Sequence, residues 1–199
     1  MKPGASRSFI RSGSGAGPGV RVPDPYVRRR PRRPDTVHAV AEALSRATAL
    51  SNGMTLAWWA GSTPSRPAII SASGVVSFEE LNRRANQLAR VFRTRGLGAG
   101  DDVAVMCGNQ LEFAETVFAA TRSGLRMTPI NRYLTSDEVA YILADCDAKA
   151  LVVDASLAAV ASGALAKAER CRVRLVANTG TATAELTGGS EDLATAREA

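Results

Sequence analysis

The chain has 199 residues, 45% of them hydrophobic and 22% charged, which is enough for one folded domain and ordinary for a soluble globular protein. Its net charge of +6 is uneven: residues 1–36 hold nine cationic side chains against two acidic ones, whereas residues 37–199 hold 16 basic against 17 acidic groups. The basicity therefore belongs to a tail; the absence of an 18-residue apolar run argues against a membrane span, and a single histidine with three scattered cysteines argues against a zinc site or a Ser-His-Asp triad.

Residues 1–36 are rich in Gly, Ser, Pro and Arg, a composition that predicts a disordered basic tail. The run Arg28 to Arg33 is a solvated extension first and an anchor for nucleic acid second. No continuous apolar stretch marks a secretory signal, and Cys107, Cys146 and Cys171 lie in or beside apolar segments, so they read as reduced core thiols of a cytoplasmic protein. Residues 37–67 form a helical lead-in. A short helix is expected over 36–50, capped by Thr36, then a break at Asn52 and Gly53, then a second helix from Leu56 to Ala60 that stops at Gly61. Trp58 and Trp59 read as packing residues of that helix, and Met54 resembles a natural starting methionine.

From residue 68 the pattern becomes regular. Ala68–Ser71 and Val75–Ser77 read as a hairpin around Ser73-Gly74. Ser77 with Glu80 spells a capping box for a helix whose Leu81, Ala85, Leu88, Ala89 and Phe92 share one stripe, with Arg83, Arg84, Arg90 and Arg93 on a solvated face and Gly96 as the stop. A strand Val103–Cys107, a helix capped by Asn109 with Glu112 and carrying Leu111, Ala114, Val117 and Phe118, and a stop at Gly124 repeat the unit. An extended segment Arg126–Ile130 broken by Pro129, a Thr135–Glu138 cap, and a helix with Val139, Ile142, Leu143 and Cys146 facing inward repeat it again. Strand Leu151–Asp154, helix Ser156–Arg170 and strand Val173–Ala177 follow. Uniformly apolar strands alternating with amphipathic helices predict an α/β fold with an incomplete doubly wound, mostly parallel sheet flanked by helices. Beyond Asn178 the periodicity fades, so the last strand is expected to leave an unpaired edge.

Three blocks carry a family resemblance. VSFEELNRRANQLA (Val76–Ala89) and AATRSGLRMTPIN (Ala119–Asn131) resemble the first two core motifs of the AMP-forming adenylating enzymes, a superfamily of acyl-CoA synthetases, peptide-synthetase adenylation domains and luciferase. Between them, GLGAGDDVAVMCGNQLEF (Gly96–Phe113) is similar to that family's glycine turn, strand and following helix. Asn131, Leu134, Thr135 and Glu138 follow the acyl-CoA synthetase style, in which no proline follows the asparagine. The resemblance covers about residues 54–195. It implies that residues 68–199 are a partial AMP-binding α/β domain from the large N-terminal domain of such enzymes, truncated before the phosphate loop.

For the whole family the resemblance implies a ligase of fatty acid metabolism or related chemistry, joining a fatty or other carboxylic acid to CoA with ATP and Mg, and releasing AMP and pyrophosphate. The phosphate loop ending in Pro-Lys-Gly, the Thr-Glu pair, the ribose-holding Asp and the late Lys of that family have no counterpart in the sequence. No catalytic, cofactor-binding or metal residue is therefore assigned, no cofactor is expected to bind this chain alone, and it is expected to be inactive by itself. Asn178–Thr183 and Leu186–Ser190 are glycine-bearing but lack a lysine, and Gly96 to Gly100 follow a helix and enter a strand, the reverse of a dinucleotide loop. Two further readings stand beside the ligase. One is a non-catalytic module that pairs through its open sheet edge with a second copy or with a missing C-terminal portion. The other, ranked last, is nucleic-acid binding through the tail.

Overall fold

The computed structural model describes residues 46–71, 74–178, 186 and 189–199. The sequence's tail, the Thr36 cap and the tip of the hairpin lie outside them. Residues 46–51 are helical. They lead into α1 (Thr55–Ser62), then β1 (Pro67–Ser71), β2 (Gly74–Ser77), α2 (Phe78–Thr94), β3 (Asp102–Met106), α3 (Leu111–Arg122) and β4 (Arg126–Pro129). The chain continues through α4 (Ser136–Asp145), β5 (Ala148–Asp154), a 3-10 turn Ala155–Leu157, α5 (Ala158–Leu165), β6 (Val173–Ala177), β7 (Glu191–Asp192) and α6 (Leu193–Glu198).

β1 and β2 pair as the expected antiparallel hairpin, and β3 to β7 form a five-stranded sheet in the order β4-β3-β5-β6-β7. All four pairings in that sheet are parallel. A parallel sheet needs cover on both faces, and the residues of β3 divide accordingly. Val103 and Val105 enter one core with Leu88 and Phe92 of α2, Ala119 and Ala120 of α3, and Leu193 of α6. Ala104 and Met106 enter a second core with Val139 and Leu143 of α4 and Ala161 and Leu165 of α5. A smaller cluster of Leu56, Leu81 and Ala85 ties α1 and the hairpin to the outside of α2 and α3. Each large apolar side chain buried this way contributes on the order of 1.5–3 kcal/mol.

The apolar stripe read for α2 is buried in full, and Val91 joins it. Several local expectations are corrected. Gly61 lies inside α1, which runs to Ser62. The Ser77 side chain accepts from the backbone N–H of Glu80, but the Glu80 carboxylate turns to Arg83 and Arg84 instead of back to the cap, so one half of the box is made. Gln110, not Asn109, precedes α3, and it makes no side-chain cap. The residues of α3 that are fully buried are Glu115, Thr116, Ala119 and Ala120, because the helix is wedged between the sheet and the hairpin layer; Leu111, Ala114 and Phe118 are half-buried against that outer layer. By contrast, Thr135 and Glu138 form both halves of their capping box. The helix after β5 is shorter than expected, ending at Leu165.

The edge expected to be open after β6 is paired. Leu175 and Val176 of β6 align with Glu191 and Asp192 of β7, and Asp192 then caps α6 by accepting from the N–H of Thr195. The edge beyond β6 is therefore carried by β7, over two residues.

Gly53 shows how the lead-in is fastened. Its φ is +68°, and a Cβ there would sit 2.6 Å from the carbonyl oxygen of Thr121 in α3. Left-handed backbone costs a non-glycine residue about 1–2 kcal/mol, and the α3 backbone cannot yield as a flexible side chain would. Gly53→Ala is expected to lower the unfolding free energy by more than about 1 kcal/mol, read as a lower urea midpoint; an unchanged midpoint would show that the lead-in is not docked on α3.

Candidate functional site

In a doubly wound sheet, ligands bind beyond the carboxyl ends of the strands, where neighbouring strands send their helices to opposite sides. Here that point lies between β3 and β5. β3 leads through α3, on one face, to β4; β5 leads through α5, on the other face, to β6. The two loops that part at this crevice are joined by Gln110, after β3, whose Nε2 donates to Oδ2 of Asp154, the last residue of β5, at 2.9 Å. Asn178, just beyond β6, donates its Nδ2 to the same oxygen at 2.9 Å. The other oxygen of Asp154 accepts from the backbone N–H of Ser156 at 2.9 Å and from the Ser156 hydroxyl. Asn178 reaches this position with φ +57°, a left-handed conformation that asparagine tolerates.

Partial burial pushes the Asp154 carboxyl upward, but the donors from Ser156, Asn178 and Gln110 outweigh it and hold the group at about 2. Both oxygens are engaged, so Asp154 acts as a tie between three strand ends. Cys107 lies at the same end, with its thiol directed to the carbonyl of Val152 and pushed up to about 12 by burial, which leaves it protonated and unreactive. A crevice of about 300 Å³ opens beside Asn178, lined also by Glu112, Asp192 and Arg197.

Arg197 does not offer its charge to that crevice freely. Its guanidinium pairs with the fully buried Glu115 of α3, which also meets Arg84 of α2 at 3.4 Å. Burial raises the Glu115 carboxyl, opposed by Arg197 and Arg84. The sequence placed Arg84 on a solvated face; the structure assigns it to Glu80 and this buried carboxylate. Glu115 itself was not singled out, since a glutamate within a helix reads as outward-facing.

A triphosphate needs backbone N–H groups, a cation and a metal-holding carboxylate around it. The described residues at this end of the sheet do not fit that demand. Asp154 is saturated, Arg197 is committed to Glu115, and Arg132, which lies over Gly108, also meets the Tyr133 ring. Lys149, near the amino end of β5, pairs with Asp147, and Lys167 pairs with Asp137 in the first turn of α4. Of the glycine-bearing stretches, Gly96 and Gly100 have φ of +86° and +92° in the turn between α2 and β3, as a structural turn requires. Most of Asn178–Thr183 lies outside the described residues. Leu186 is buried, its N–H donates to the Ser190 hydroxyl, and the Gly189 N–H donates to the Leu186 carbonyl; residues 187 and 188 lie outside the described residues. Trp59 stacks on Phe78 at 5.7 Å and Trp58 meets Trp59 edge-on, which makes both packing residues.

The Asp154 tie has a pH signature. Its folded carboxyl is below the ordinary value of about 3.9, so its stabilising share is present above that value and is lost as pH falls toward about 2. Asp154→Asn is expected to be less stable than the parent at neutral pH, with the difference shrinking between about pH 4 and 2. Urea midpoints across that window check it, and a difference that stays constant with pH would remove the carboxylate from this role.

With the geometry in place, comparison with known proteins gives a consistent result. The family model described as "AMP-binding enzyme" matches residues 56–198. A probable non-canonical nonribosomal peptide synthetase, CymA of Salinispora arenicola (strain CNS-205), is 38% identical over 98 residues, covering 49% of this chain and 1% of that protein. The fatty acid–[acyl-carrier-protein] ligase ScoC of Streptomyces coeruleorubidus is 31% identical over 91 residues, covering 46% of this chain and 18% of its own. Among solved structures, a Mycobacterium tuberculosis fatty acyl CoA synthetase is 27% identical with a TM-score of 0.61, over 74% of this chain and 28% of that one. A benzoate CoA ligase from Burkholderia xenovorans LB400, 18% identical with a TM-score of 0.64 over 74% of this chain and 28% of its own, shares the fold. The chain thus spans less than a third of the length of each of these relatives. It belongs to the AMP-binding enzyme family.

Proposed function

We propose that this chain supplies the first part of the large domain of an AMP-forming acid–thiol ligase, one that joins a fatty or other carboxylic acid to CoA with ATP and releases AMP and pyrophosphate. The observation that carries the reading is the order of the three motifs and where they fall in the fold. Val76–Ala89 is the end of the hairpin and α2, Gly96–Phe113 is the turn into β3 and α3, and Ala119–Asn131 is the end of α3 and β4. Each motif thus builds one junction between a strand and a helix of a fold also found in CoA ligases.

The choice of the CoA-ligase branch rests on Asn131 to Glu138. There the Asn131 side chain accepts from the N–H of Tyr133, and Thr135 and Glu138 cap α4 reciprocally. Similarity to a fatty acyl CoA synthetase supports the same branch, and similarity to a fatty acid–[acyl-carrier-protein] ligase supports a fatty acid as the acid. The three free cysteines support a reducing, cytoplasmic setting. Within this reading the role of the 199 residues is to set the sheet and its β3–β5 crevice, while the groups that grip the triphosphate come from elsewhere in such an enzyme.

Two assays test the proposal. The purified chain with Mg-ATP and a panel of carboxylic acids is expected to show no ATP–pyrophosphate exchange above background. A chimera in which this chain replaces the matching first segment of a fatty acyl CoA synthetase is expected to form acyl-CoA. Exchange by the chain alone would refute the division of labour. A folded, soluble chimera that adenylates amino acids but no fatty acid would move the chain to the peptide-synthetase branch.

A further inference from the structure

A concavity of about 730 Å³ lies apart from the crevice between β3 and β5 and shares none of its lining residues. It is bounded by the outer face of α2, the end of α3 and the turn Leu97–Ala99, so it opens at the amino end of the sheet. Arg83, Asn86, Arg90 and Arg93 recur at three- and four-residue spacing along α2 and line one side, and Arg122 with Ser123 of α3 closes the other. Ala89 and Leu97 provide an apolar floor. No acidic residue lines this groove among the described residues.

Among the described residues, three of the four arginines that line it have no acidic partner outside it either. Arg83 is held by Glu80. Arg90 and Arg93 make no ion pair or side-chain hydrogen bond among the described residues. Arg122 is anchored by neutral acceptors only: the carbonyl of Phe118 at 3.1 Å, Oδ1 of Asn82 at 2.9 Å and Oδ1 of Asn86. Burial disfavours its charge and no carboxylate compensates. Three guanidinium groups converging on one concavity without a counter-charge repel one another, and the rigid fork of arginine suits phosphate oxygens bidentately. A volume near 700 Å³ suits a small molecule.

We propose that this groove binds a small phosphate-bearing ligand carrying more than one negative charge, with Arg90, Arg93 and Arg122 as its phosphate contacts. The site is separate from the ligase crevice and does not rest on the ligase reading. The sequence alone gave these α2 arginines as a solvated face; it could not bring Arg122 and Ser123 to the same groove.

The test uses the 199-residue chain and inorganic tripolyphosphate, followed by calorimetry and by thermal melting. One saturable site per chain is expected, with a rise in melting temperature. Arg90→Gln with Arg93→Gln is expected to weaken binding at least about tenfold, since two charge-assisted contacts are lost. The charge-matched control Arg66→Gln with Arg132→Gln, both exposed outside the groove, should bind like the parent. Asn86→Glu is the decisive variant. It places a carboxylate four residues before Arg90 and beside Arg122, so it should melt no lower than the parent while binding is abolished. Absence of a saturable site in the parent overturns the proposal. Equal weakening by the control pair, or parent-like binding by Asn86→Glu, overturns it as well, because the attraction is then general to the net charge. Binding of a single-stranded oligonucleotide in preference to tripolyphosphate would also overturn it, in favour of a nucleic-acid surface.

Discussion

The structure depends on the complete burial of β3. It has a parallel neighbour on each side and a helix layer on each face, so none of its five residues from Asp102 to Met106 reaches solvent appreciably. A strand in that position cannot alternate polar with apolar residues, and Val103, Ala104, Val105 and Met106 meet the demand with the two cores dividing them by parity. The exception is Asp102 at the amino end. One of its oxygens faces Arg126 at 3.6 Å while the other has no partner among the described residues. The tolerance for this buried carboxylate comes from its place at the strand's start, beside the exposed Arg126.

The second constraint is the buried carboxylate of Glu115. Burying a charge is expensive unless it is paired, and Glu115 is paired twice, by residues 31 positions before it and 82 positions after it. The pairs join α2, α3 and α6, so the last helix is fixed on the same layer as the first helix of the sheet unit. α6 is only six residues long and has little intrinsic helical stability. Its Leu193 and Ala196 enter the core, and Arg197 adds a polar latch. This latch explains how a two-residue strand such as β7 can hold the edge of β6.

How much was legible in the sequence follows from which signals are local. α2 was read almost residue by residue because its stripe, its cap and its terminal glycine all lie within about twenty positions. The strands were legible because parallel strands are apolar throughout. α3 was read in part: it packs on two layers, and Leu111, Ala114 and Phe118 meet the outer one, while Thr116 and Glu115 go under without an apolar pattern to mark them. β7 has no apolar signature in Glu191-Asp192 and exists by pairing with β6. The Asp154 tie was equally invisible, since Gln110 and Asn178 are 44 and 24 residues away from it and amide side chains carry no pattern that announces a shared acceptor.

The two ends of the sheet differ electrostatically for a reason built into the βαβ repeat. Helices run opposite to the strands they connect, so helix N-termini gather at the carboxyl end of the sheet and helix C-termini at the amino end. The amino end accordingly collects cations: Arg93 and Arg122 occupy the last turns of α2 and α3, and Lys149 and Arg170 share Asp147 nearby. At the carboxyl end the strand ends are tied by neutral amides on the saturated Asp154, and Arg197 is paired with Glu115. Complementing the helix dipoles accounts for Arg93 and Arg122 one at a time. It does not require that they face each other with Arg90 across a groove lacking carboxylates, while the neighbouring Arg83, Arg84, Lys149 and Arg170 all have acidic partners. That contrast between neutralised and unneutralised cations on one surface is what separates a ligand site from ordinary surface charge.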